Sequence, residues 1–124
     1  MNIKNANVTV IVSDVEKAVS FYTDILGLEL VQRIDNQYAV LKTEGLTIGL
    51  NPIQHGLEPG NCKSMSIGFL IDNLDETISE LKNKGIVFSD VIVEPPLRIA
   101  YFTDQDKNPL YICEYLPEKN SKIK

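Results

Sequence analysis

Three oxygen-bearing side chains alternate near the end of the sequence: Asp104, Asp106 and Asn108 in "YFTDQDKNPLYICEY". That spacing opens a calcium loop, which continues with a glycine and closes with a glutamate at its twelfth position. Here Pro109 comes directly after Asn108, and the twelfth position counted from Asp104 is Tyr115. The segment from Leu110 to Tyr115 alternates like a strand and carries no helix pattern. The three residues are therefore predicted to be turn formers, short acceptors that bond their own backbone and tolerate left-handed geometry. The other chemistry-bearing side chains are the single histidine, His55, and the two cysteines, Cys62 and Cys113. They share no paired ligand spacing, so a metal site among them is not expected. With no C-x-x-C pattern and no signal-peptide pattern in "MNIKNANVTV", both thiols are expected to be free in a reducing cytoplasm.

The elements that must position these residues are visible as a duplication. "VTVIVSDVEKAVSFYTDILGLEL" and "SIGFLIDNLDETISELKNKGIVF" share one script: an apolar strand, an acidic cap, an amphipathic helix, a glycine and a second strand. The offset is 59 from Ser13 to Asp72 (72 − 13) and 58 from Gly27 to Gly85 (85 − 27), so the copies keep step along the whole helix. Ser13 to Glu16 reads as a capping box for the first helix, and Asp72 or Asn73 as the cap of the second. Val15, Ala18, Val19, Tyr22, Ile25 and Leu26 fall on one helical face, with Leu74, Ile78 and Leu81 on the other helix, which assigns Tyr22 to the core. Gly27 and Gly85 stand where a helix ends in a left-handed residue. Strand patterns come next at residues 28–34, 38–41 and 46–51, and again at 87–93, 98–103 and 110–115.

Each half thus reads β-α-β-β-β, an α+β organisation in which two modules form a curved sheet around a cup. Module one covers residues 5–52, a polar linker 53–64 and module two 65–116. Together they make one domain over residues 1–118, with a polar C-terminal tail, 119–124, that holds Lys119, Lys122 and Lys124. The length of 124 residues suits a single core. A net charge of −5 argues against nucleic acid or an anionic membrane as partner, and no apolar run is long enough to span a bilayer.

The script resembles the vicinal oxygen chelate superfamily, which includes glyoxalase I, extradiol dioxygenases and bleomycin resistance proteins. "NVTVIVSDVEKAVSFYTDILGLEL" is similar to that family's opening strand and "FY…LG" helix, and "SIGFLIDNLDETISELKNKGI" to its second copy. "IAYFTDQDKNPLYICEY" resembles its closing hairpin. The resemblance covers residues 6–116. It implies four metal-ligand positions, usually His or Glu, and places them at Asn7, Gly49, Ser66 and Tyr111. None of these is a good ligand for a transition metal. The expectation is therefore a cup with no metal, no cofactor and no catalytic residue.

If Asn7 faces the cup, strand alternation adds Thr9, Thr47, Gly49, Ser66, Gly68, Tyr111 and Cys113 to its lining. Arg98 and Tyr101 are further candidates from a strand whose parity the pattern leaves open. The small residues predict a void, the hydroxyls hydrogen bonds and the tyrosines stacking. The expected function is a metal-free binding protein of the bleomycin-resistance type, sequestering a neutral or cationic, possibly aromatic small molecule, and forming a homodimer. The alternative is a glyoxalase-type lyase or isomerase, using a metal or acid–base work by Tyr111 with Glu94 or Glu114. Alternation predicts that Glu114 points away from Tyr111.

Overall fold

The computed structural model describes residues 1–54, 56–60 and 62–117. His55 and the lysines of the C-terminal tail lie outside the described residues. The chain divides into two compact units. One comprises Met1–Met65 and Thr103–Asn108; the other comprises Ser66–Phe102 and the chain from Pro109 onward.

In the first unit the strands are β1 (Val8–Ile11), β2 (Glu29–Ile34), β3 (Tyr38–Lys42) and β4 (Thr47–Asn51), with helix α1 (Val15–Ser20) after β1. The sheet order is β1-β4-β3-β2, with β1 parallel to β4 and the other pairs antiparallel. Val10, Ile48 and Leu50 are buried as alternation predicts; Ala39 and Leu41 of β3, whose parity the sequence left open, are buried with them, as are Ile11 and, in the helical segment, Val15, Ala18, Val19 and Tyr22. Burying each Val, Leu or Ile chain of this layer stabilises by about 1.5–3 kcal/mol, so this layer carries the unit.

The helix start departs from the expected capping box. Asp14, not Ser13, is the cap, its Oδ1 accepting from Lys17 N–H at 3.1 Å. Glu16 does not reach back; its own N–H donates to Asn36 Oδ1 at 2.8 Å, and Ser13 N–H donates to Asp106 Oδ2 at 3.0 Å. Acceptors distant in sequence thus take the amides that the box would have satisfied locally. The helix then widens into a π-helical turn, Phe21–Ile25, and ends at Gly27 with φ of 84°.

Thr103–Asn108 belongs to the first unit through a network centred on Asp104. Its Oδ1 accepts from the N–H groups of Asp106 and Asn108, at 2.8 and 3.0 Å. Its Oδ2 accepts from Tyr22 Oη at 2.7 Å and from Asn108 Nδ2 at 2.8 Å. Asn108 also donates to the Ile11 carbonyl, and its Oδ1 accepts from Gly60 N–H. A Cβ on Gly60 would stand 2.5 Å from the Asp106 carbonyl oxygen, so only glycine lets this loop approach the turn. The alternating oxygens serve the turn, as expected, with Lys107 in left-handed geometry at φ of 67°.

The second unit repeats the topology. Its strands are β5 (Ile67–Leu70), β6 (Ile92–Glu94), β7 (Leu97–Thr103) and β8 (Pro109–Tyr115), with helix α2 (Leu74–Asn83), in the order β5-β8-β7-β6. Counted within each half, the two sheets have the same order, which is the structural form of the duplication. Asn73 caps α2 by accepting from Glu76 N–H at 3.0 Å, and Gly85 takes φ of 94° after it. The strand predicted over residues 87–93 is reduced to β6. The reason is Ser89: its N–H donates to the Tyr101 carbonyl, but its Oγ, not its own carbonyl, accepts from Tyr101 N–H at 3.0 Å. A side-chain oxygen has displaced the backbone from the ladder.

Candidate functional site

The candidate site is built on the face of the second unit's sheet that does not carry α2. β5 runs parallel to β8 with Gly68 beside Tyr111 and Leu70 beside Cys113. A Cβ on Gly68 would overlap Cζ, Cε1 and Oη of Tyr111, so the phenol ring lies across the glycine. Tyr101 of β7 joins it with ring centroids 5.6 Å apart and planes at 55°. Tyr111 is half-buried, while Tyr101 is 38% and Leu70 58% exposed. The result is an aromatic surface held from below by backbone and open above.

This changes the expected meaning of Gly68. The small residue does not leave a void; it makes room for the Tyr111 ring, an arrangement in which an aromatic covers the backbone that glycine leaves bare. Cys113 is buried on the same strand, and burial pushes its thiol pKa up. Cys62 is exposed, and neither cysteine is in a disulfide. A raised thiol pKa lowers the fraction present as thiolate, the form that is alkylated. Iodoacetamide at about pH 8 should therefore modify Cys62 first and Cys113 slowly; equal rates by intact-mass analysis would contradict the buried placement.

Arg98 leaves the set of candidate ligand contacts. Its Nη1 binds Glu114 Oε2 at 2.7 Å and its Nη2 binds Asp75 Oδ1 at 3.2 Å, on the side of the sheet that carries α2. Glu114 Oε1 accepts from Leu74 N–H, the first residue of that helix, at 2.6 Å. The amide of Leu74 and then the Arg98 guanidinium hold the Glu114 carboxyl below the usual range. As expected from alternation, Glu114 is turned away from Tyr111, so the two do not form an acid–base pair.

A depressed carboxyl pKa means that the folded state binds its proton less readily than the unfolded state. The stabilisation is therefore present above the ordinary value of 4.5 and is lost as pH falls through the lower folded value. Urea unfolding from about pH 6 down to about pH 3 should show wild type losing a component that Glu114→Gln lacks at every pH. Parallel curves for the two proteins would remove Glu114 from the acid response.

The first unit presents its other candidates separately. Thr9 pairs with Gly49 across β1 and β4, and a Cβ on Gly49 would meet Thr9 Oγ1 at an ordinary 3.5 Å. Thr47 is half-buried opposite Lys42, and Asn7 is exposed just before β1. This face is one of hydroxyls and small residues. In the second unit Ser66 is exposed just before β5. So the structure brings Thr9 together with Gly49, and Gly68 with Tyr111 and Tyr101, while Asn7 and Ser66 stand at strand entries. Ser89, which holds Tyr101 at its backbone, was missed. Its one signal was a hydroxyl inside the apolar run "IVFSDVIV".

A sheet of order 1-4-3-2 repeated twice, each with one helix, defines a duplicated β-α-β-β-β protein. The chain belongs to the Glyoxalase/Bleomycin resistance protein/Dioxygenase superfamily, whose family model matches residues 5–112. It is similar to the protein YwkD of Bacillus subtilis (strain 168), itself uncharacterised, with 25% identity over 122 residues, 87% of this chain and 94% of YwkD. Among solved structures it resembles TnmS3, an antibiotic binding protein from Streptomyces sp. CB03234, with a TM-score of 0.74 and 24% identity over 94% of this chain and 99% of that one. The glyoxylase/bleomycin resistance protein/dioxygenase domain from Frankia sp. EAN1pec matches over 100% of both chains, with a TM-score of 0.73 and 20% identity. These likenesses establish the fold.

The four positions at which the family resemblance places metal ligands do not fit a divalent transition metal. They offer an amide, no side chain, a hydroxyl and a phenol, where such ions take imidazole, carboxylate or thiolate. Among the described residues, no three His, Cys, Asp or Glu side chains are grouped to hold one. No helix of the described residues is long and apolar enough to cross a membrane.

Proposed function

We propose that this protein is a small-molecule binding protein of the bleomycin-resistance type, which sequesters a ligand without a metal and without changing it. The observation that carries this reading is the tyrosine pair, Tyr101 and Tyr111, seated over Gly68 and left partly open. Two tilted rings on a rigid strand pair favour a flat aromatic ligand, since stacked and edge-on ring contacts contribute about 0.5–1.5 kcal/mol beyond the area they bury. The rings also favour a cationic ligand through their π faces, and the net charge of −5 disfavours an anion. The likeness in fold to an antibiotic binding protein supports the same class of activity. Its place is the cytoplasm, consistent with two free thiols, and its assembly a homodimer, the commonest closed form.

Native mass spectrometry with elemental analysis of freshly purified protein tests this, together with a screen of aromatic compounds read by tyrosine fluorescence. The expected result is a dimer mass, no stoichiometric metal, and saturable binding that Tyr111→Leu weakens. No saturable binder, or a metal bound at one per chain, would overturn it.

A further inference from the structure

The ion pair behind the second unit's sheet and the tyrosine pair in front of it belong to one strand register. On the antiparallel strands β7 and β8, Arg98 meets Glu114 and Tyr101 meets Tyr111. Leu116 N–H donates to the Pro96 carbonyl at 2.8 Å, just beyond both strands. Each step forward along one strand is matched by an equal step back along the other, so all three contacts share a single alignment. Arg98 and Tyr101 are three residues apart, as are Tyr111 and Glu114, which puts the charged pair and the ring pair on opposite faces. A slip by one residue would set Tyr101 against Leu110 or Ile112 and Arg98 against Cys113 or Tyr115, breaking both pairs together.

Glu114 also ties this register to α2 through Leu74 N–H, and Asp75 holds the other arm of Arg98. The charged side chains are largely covered, with 25% of Arg98 and 15% of Glu114 exposed. A covered ion pair is weak evidence for stability, because apolar replacements of similar shape are often as stable; its best-attested use is to fix register. Resting on the reading of the rings as a ligand surface, we propose that Arg98 and Glu114 are positioning residues: they hold Tyr101 and Tyr111 in their binding arrangement from the far side of the sheet. A ligand on the rings depends on both without touching either.

The test pairs two readouts. Proflavine, a flat aromatic cation, is titrated by fluorescence against wild type and the double variant Arg98→Met/Glu114→Leu, and the ring-proton contact between Tyr101 and Tyr111 is followed by NMR. The apolar pair fills the same space but takes the acceptor from Leu74 N–H, so a modest fall in thermal stability is expected, while the ring contact weakens and proflavine affinity falls by up to about tenfold. Arg98→Lys should recover part of that affinity. Leu81→Ala, on the buried face of α2, should lower stability and leave affinity as it was. Should the double variant fail to fold, Glu114→Gln keeps the shape and removes the charge, and it should weaken both readouts in the same direction. Unchanged ring contact and unchanged proflavine affinity in a folded variant would overturn the positioning role while leaving the ligand surface intact. Loss of the ring contact when proflavine binds neither protein would uphold the positioning role and count against the ligand reading.

Discussion

Asp104→Ala should cost the protein about 2–4 kcal/mol, a large part of a small domain's stability, and the loss should centre on the first unit. The residue is 4% exposed, yet among the described residues its carboxylate has no cationic partner in contact. Four donors satisfy it: two backbone amides, the Asn108 amide and the Tyr22 hydroxyl. Among the described residues, no buried side-chain nitrogen or oxygen lacks a partner, so this network starts from full satisfaction. Alanine leaves the fully buried Tyr22 hydroxyl unpaired, and a buried donor stripped of its acceptor costs about 1–3 kcal/mol alone. Burial first, then the charge of Asp104, push the phenol pKa up, so Tyr22 stays a donor throughout the accessible pH range. Asp104→Asn should recover little, because its amide would set a donor against Asn108 Nδ2 or against the backbone amides. Tyr22→Phe removes one bond and should cost about 1–2 kcal/mol. Urea denaturation of both single variants and the double variant gives the coupling, expected at about 1–3 kcal/mol. Strict additivity would mean that the two side chains do not share a network.

That network also shows how far the sequence could be read. The alternation of Asp104, Asp106 and Asn108, broken by Pro109, was enough to identify a turn, because the local chemistry of short oxygen side chains is the same wherever they occur. Which amides the turn would bond outside itself was not legible. Ser13 N–H goes to Asp106 and Glu16 N–H to Asn36, over 93 and 20 residues, so the capping box written in Ser13 and Glu16 never forms. The second helix combines a local cap, Asn73 accepting from Glu76 N–H, with a distant acceptor, Glu114, for the amide of Leu74. The duplication itself, with both helix faces and both left-handed glycines, was readable from period and offset alone.

The site was half legible, for one physical reason. Alternation places a residue on a face, and Tyr111 and Glu114 lie on opposite faces of the sheet. It does not say what fills the space above a small residue. Gly49 and Gly68 look identical in sequence terms, yet one meets only ordinary contacts and the other lies under a tyrosine ring. Arg98 was similarly undetermined: only the meeting of β7 with β8 shows that its partner is Glu114. Ser89 shortened a strand that its apolar neighbours predicted, because a single hydroxyl oxygen took over an acceptor's role.

Gly68→Ala should separate affinity from stability. Its backbone has no left-handed strain to relieve, so the effect comes from the added Cβ, which would occupy the space of Tyr111 Cζ, Cε1 and Oη. Those atoms are the far end of a side chain that can rotate, not backbone, so the strand pair survives and the ring moves. Moving it forfeits the contact with Tyr101, about 0.5–1.5 kcal/mol. Alanine returns about 0.5–1 kcal/mol over glycine inside a strand, so the two nearly cancel in overall stability. They do not cancel in binding, because a ligand that needs both rings finds only one in place. Proflavine affinity should fall by about tenfold while the melting temperature stays within a few degrees. A variant that binds as wild type would show that the ring over Gly68 is packing, with the ligand elsewhere. A variant that loses stability heavily would show that Tyr111 has no room to rotate, which would make the aromatic surface more rigid than its exposure suggests.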